Sequence, residues 1–140
     1  MRTYLLGYAT IAGVFLALDF VWLSSMTNLL YRPKLGALLA DQPNFLAAVA
    51  FYLLYVAGIL YFAVLPSVSG GNWASAALAG ALLGLFAYAT YDLTNMATLR
   101  GWSVTITIVD IVWGMIVTGA AAAAGYLAIT AFANPARISG

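Results

Sequence analysis

Three of the four acidic residues of the chain, Asp19, Asp92 and Asp110, stand inside stretches otherwise apolar enough for a lipid bilayer. A carboxyl group there is expensive, about 2.5 to 3.5 kcal/mol at mid-helix on insertion scales, so each is a functional candidate. Asp19 and Asp110 open the same short pattern, Asp-x-x-Trp, as "DFVW" and "DIVW", which sets Trp22 and Trp113 on the same helix face as their carboxyls. The third sits in "YATYDLTNMATLRGW", with Tyr91 beside it and Asn95 one turn on. The chain has no Cys and no His, which excludes thiol catalysis, disulfides, imidazole or thiolate metal ligation and Ser-His activation. Chemistry falls to Asp, Tyr, Trp, Asn, Ser and Thr: proton exchange, cation binding, or acid–base work by carboxyls.

The elements that must hold these residues follow from composition. At 140 residues, 65% hydrophobic and 6% charged, the chain is far from the one-quarter charge of a soluble domain and reads as an integral membrane protein. Its net charge of +1 and scattered Lys and Arg offer no basic patch for nucleic acid. With about 20 apolar residues per span, four spans account for one transmembrane domain over 1–140: residues 4–26, 45–65, 73–98 and 104–131. The fold class is all-α, an antiparallel four-helix membrane bundle. The N-terminal stretch is too long for a signal h-region and holds Asp19, so it reads as a retained span.

Turn chemistry supplies the stops. "YRPKLG" and "DQPN" punctuate the first connection and "LPSVSGGN" the second, with Asn72 as N-cap; "RGWS" is the third, with Gly101 ending one helix and Ser103 capping the next. That last turn is short enough to force the third and fourth helices side by side. Arg2 and Arg137 fall on the face of the two termini, and Arg32, Lys34 and Arg100 on the opposite face, a balance too even for the positive-inside rule to set orientation.

Counted from Met26, Thr98 and Val104, the three carboxyls lie six or seven residues inside the face of the first and third connections, about 10 Å deep at 1.5 Å per residue. Tyr52 and Tyr55 of the second helix fall at or just below that level. Gly84, Tyr88, Tyr91, Asp92 and Asn95 share a narrow arc of the third helix; Asp110, Gly114, Val117, Ala121 and Gly125 share one of the fourth. Small residues let helices approach closely, so this polar, small face points into the bundle, a homodimer contact or a partner membrane subunit. Trp73 and Trp102, at helix starts, read as interfacial anchors. Three ionised carboxylates in low dielectric would repel, so at least one is expected to hold a proton at neutral pH. Arg100 and Arg32 are the cations on the near face with side chains long enough to snorkel toward them.

With "LDFVWL", "FYLLYVAGILYFAV", "YATYDLTNMATLRGW" and "VDIVWG" in view, the chain resembles the bacterial membrane family catalogued as domain of unknown function 2177. The resemblance implies a four-span inner-membrane protein and carries no activity, cofactor or residue role.

Three functions fit these residues. A small carrier or binder would use Asp19, Asp92 and Asp110 to exchange protons or a cation, with Tyr52, Tyr55, Trp22 and Trp113 walling an organic or lipid-like ligand. A membrane-embedded enzyme on a lipid or isoprenoid would pair a protonated Asp with an ionised one; it ranks lower, because the DxxxD cluster that grips diphosphate through a divalent ion is absent. An accessory or assembly subunit would suit the short loops and the Gly- and Ala-rich last helix. The residues leave any cofactor unknown, no metal site is expected, and membrane lipids are the expected partners, with a second copy or a partner membrane subunit beside them.

Overall fold

The computed structural model describes residues 2–133; Arg137 lies outside them. Among the described residues there is no strand. Four helices, α1 (Arg2–Leu38), α2 (Phe45–Gly70), α3 (Trp73–Thr98) and α4 (Val104–Ala133), are each long and apolar enough to cross a membrane. Large apolar side chains such as Phe20, Leu46, Leu54 and Phe86 point outward, as a lipid-facing surface requires.

Two helices run on past the stops read from sequence. α1 was expected to end at Met26, yet it continues through a π-turn, Thr27–Tyr31, and a further α-turn, Arg32–Leu35. α2 was expected to stop at Leu65; it passes through a π-turn, Ile59–Val64, and ends at Gly70. In both cases a proline follows the π-turn, and the same device absorbs it. The amide just before Pro33, that of Arg32, bonds back five residues to Thr27 O, and the amide just before Pro66, that of Leu65, bonds to Leu60 O. The wider turn makes room for the ring, which in a regular helix clashes with the carbonyl four residues back.

The other stops are local. Asn44 accepts from the Ala47 amide to start α2, and Asn72 forms a capping box with Ser75 to start α3. Gly101 takes φ +76° in the α3–α4 turn, and the Ser103 hydroxyl accepts from the Ile106 amide at 3.4 Å.

α4 is the central helix, packed against α1, α3 and the π-turn of α2. Its partners are set by glycines. A Cβ on Gly84 would fall 2.1 Å from the Gly114 carbonyl oxygen, so α3 and α4 touch backbone to backbone. Between α1 and α4, Gly7 lies under Ile129 and Gly125 under Ile11, which defines an antiparallel register. Phe15, Tyr55, Val56, Ile59, Val117 and Ala121 fill the core beneath the acidic level.

Candidate functional site

The α1–α4 register decides how the two Asp-x-x-Trp motifs meet. Continued from Gly7–Ile129 and Ile11–Gly125, it sets Asp19 level with Trp113 to Val117, at least one turn, or about 5 Å, deeper than Asp110. The contact of Gly84 with Gly114 and Thr118 meanwhile brings Asp92 level with Ile106 to Asp110. The expected single layer is thus two carboxyls at one depth and one deeper, because α1 does not end at Met26 and cannot be counted from there.

The motifs cross. Trp22 and Trp113 stack face to face, centroids 4.3 Å apart and planes 7° from parallel. Trp113 Nε1 donates to Asp19 Oδ1 at 3.4 Å, across the seam from its own motif. Trp22 Nε1 donates to the Tyr31 hydroxyl at 3.0 Å, and that hydroxyl donates to Asp110 Oδ1. Each indole therefore serves the carboxyl of the opposite helix, one directly and one through a phenol. Tyr52 of α2 completes the set, donating to Asp19 Oδ2 at 2.5 Å. Asp19 and Asp110 are 8% and 7% exposed, and among the described residues no donor reaches Asp110 Oδ2.

These groups line a cavity of about 360 Å³. Asp19 and Asp110 supply its charge; Trp22, Trp113, Tyr31 and Tyr52 form the walls on the α1, α2 and α4 sides. Tyr88, Tyr91 and Trp102 close the α3 side, and Leu35, Leu39 and Ile106 cover the end toward the first and third connections. Among the described residues no Lys or Arg lines it.

Of the residues singled out from sequence, Asp19, Asp110, Trp22, Trp113, Tyr52 and Tyr91 come together here. Tyr55 lies beneath, its hydroxyl 3.0 Å from Thr118 Oγ1 and its ring edge-on to Phe15. Asp92 does not line the cavity: it is fully buried in the tight α3–α4 seam, and neither of its oxygens has a hydrogen-bond partner among the described residues. Asn95, one turn on, is outside as well. Arg32 lines an adjoining space of about 650 Å³ that also includes Asp41, and Arg100 stays exposed in the α3–α4 turn.

Three aromatic residues of the cavity were not among the candidate site residues. Tyr31 read as part of a turn, and its nine-residue spacing from Trp22 is two and a half turns of a regular α-helix, which would put the two on opposite faces. The π-turn that redirects it has no periodicity signal, although Pro33 marks where one is needed. Tyr88 reaches the cavity because its ring lies across Gly114, where any Cβ would fall 2.3 Å from it; the glycine right after "DIVW" was the available clue. Trp102, read as an anchor, instead turns inward, donating to Thr107 Oγ1 at 3.1 Å and meeting Tyr91 edge-on.

Carboxyls among aromatic faces, with no competing cation, match the chemistry of a cation site. Among the described residues no three acidic side chains gather closely enough to hold a metal ion. No curated protein and no solved structure matches the chain. The model of one family, described as "Predicted membrane protein (DUF2177)", matches residues 4–127 and so spans both Asp-x-x-Trp motifs and every wall of the cavity. The chain belongs to that family of membrane proteins.

Proposed function

We propose that this chain binds a small organic cation within the membrane and carries it in exchange for protons or an inorganic cation, and that it does so in a bacterial inner membrane. One observation carries the reading: Asp19 and Asp110 face one cavity walled by tryptophans and tyrosines, with no Lys or Arg among the described residues of its lining. A cation over an aromatic face gains about 0.5–1 kcal/mol when exposed and about 2 or more when desolvated, and two carboxyls add charge complementarity in low dielectric. Asp110 Oδ2 supplies an acceptor that no protein donor uses. The phenols of Tyr31 and Tyr52 hold the two carboxyls in place before the ligand arrives, which lowers the ordering cost of binding.

The experiment is a titration of the protein in phosphatidylcholine nanodiscs with tetramethylammonium, read by tryptophan emission, to which Trp22, Trp102 and Trp113 of the cavity contribute, against sodium at equal ionic strength. Saturable quenching by tetramethylammonium alone, lost in Asp110→Asn, is the expected outcome. Identical responses to the two ions would sink the binding reading. Uptake of an organic cation into proteoliposomes no faster than into empty liposomes would remove the carrier part and leave a binder.

A further inference from the structure

On its α3 side the acidic cavity is bounded by Tyr88 and Tyr91, and these two side chains are shared with the next space. That second cavity, of about 300 Å³, is also lined by Phe51 of α2 and Ala87 of α3. Phe51 and Ala87 in turn line a groove of about 500 Å³ that runs past Leu83 to Tyr61 and Phe62. The three spaces follow one another, acidic and aromatic at one end and apolar for the rest.

The path exists because α2 leans. Its first half, Phe45–Gly58, packs on α1 and scarcely approaches α3, whereas its π-turn, Ile59–Val64, packs against both α3 and α4. The two helices converge at one depth and part at the depth of the acidic cavity. Tyr91, Phe51, Tyr61 and Phe62 are all exposed, so the parted seam opens at the outer surface of the bundle.

Building on the cation-binding reading above, we propose that the site takes its ligand sideways from the bilayer and that the ligand is a single-chain cationic amphiphile. Its amine or quaternary ammonium head sits against Asp19 and Asp110; its hydrocarbon tail leaves between Tyr88 and Tyr91 and lies along the α2–α3 groove. A hydrated ion arriving from water needs no such groove. From Phe51 to Phe62 the groove follows about 16 Å of helix, the reach of a medium-length alkyl chain. Among the described residues no Lys or Arg lines any of the three spaces, so a phosphate-bearing or other anionic head finds no counter-charge there.

The test compares tetramethylammonium with dodecyltrimethylammonium in phosphatidylcholine nanodiscs, on wild type and on Ala87→Trp, whose indole fills the gap. Binding of the dodecyl probe should fall about tenfold or more, a loss of about 1.4 kcal/mol, because the tail of a seated head then has nowhere to lie, with tetramethylammonium unchanged. As a second variant, Phe51→Cys/Ala87→Cys can be bridged by a reducible dithiol cross-linker in a chain that has no cysteine of its own. Bridging should block the dodecyl probe and reduction restore it, a reversal that a misfolded protein would not show. The proposal is overturned if closing the gap leaves the dodecyl probe unaffected or weakens both probes alike. It is equally overturned if dodecyl phosphate binds as well as the cationic probe, since the groove would then hold any lipid tail. Failure of wild type to bind either cation would defeat the cation-binding reading itself.

Discussion

Helix α4 meets its two largest partners along seams of opposite character. Against α3 it presents Gly114, Thr118 and Gly119 to Gly80 and Gly84, and backbone touches backbone. Against α1 it packs closely at Gly125 but presents Trp113 and Asp110 to Trp22 and Asp19 at the other end, where the seam holds a cavity. Both seams bury a carboxyl, with different consequences. Asp19 and Asp110 each keep at least one donor and an aspect toward open space, while Asp92 is enclosed with no donor at all. Buried polarity is therefore not one signal: the same residue type supports a site where the seam is spacious and burdens the packing where it is tight.

The largest effect should come from forcing the tight seam open. Gly84→Leu puts a side chain where the Gly114 carbonyl stands, an obstruction of backbone that cannot rotate away. Overpacking of this kind costs about 1–3 kcal/mol and sometimes more. We expect loss of the monodisperse protein in size-exclusion chromatography, or a large drop in melting temperature. A Gly84→Leu protein as stable as wild type would mean that the α3–α4 contact is not what holds α4.

A smaller effect separates the carboxyls. Asp19→Ala strands the Tyr52 hydroxyl and the Trp113 indole N–H, at about 1–3 kcal/mol for buried groups left unpaired, and should lower the melting temperature clearly. Asp92→Val removes a buried group that has no partner to strand, so it should leave the melting temperature unchanged or raise it. Equal losses in the two variants would erase the distinction between the seams. The smallest effect is expected at Gly13, where an added Cβ meets nothing within 4 Å; Gly13→Ala should be neutral or stabilise by up to about 1 kcal/mol from helix propensity. A marked loss there would show a contact on the lipid face of α1.

Much of this contrast is foreshadowed in the residues. The small face of "GALLG" against "GMIVTG" anticipates a close α3–α4 seam, and the paired "DFVW" and "DIVW" put an indole beside each of two carboxyls, though their spacing does not foretell that the two tryptophans stack. Which indole serves which carboxyl was not legible, because i, i+3 spacing places two side chains on one face without saying what faces them. Tyr31 was hidden for a different reason. Proline and glycine in "YRPKLG" are ordinary helix stops, and only packing shows that a π-turn carries the helix across them.

By itself the sequence determined that the chain is all helix in apolar surroundings, with four spans and three carboxyls buried among them, since hydrophobic length and the cost of buried charge are local quantities. Only the tertiary structure decided that Asp19 and Asp110 share a cavity with Tyr31 while Asp92 is excluded from it. Helical periodicity assigns a face to each side chain, but the register and lean of one helix on another depend on where glycines let backbones touch and where a π-turn turns the chain, and those are settled only when all four helices pack together.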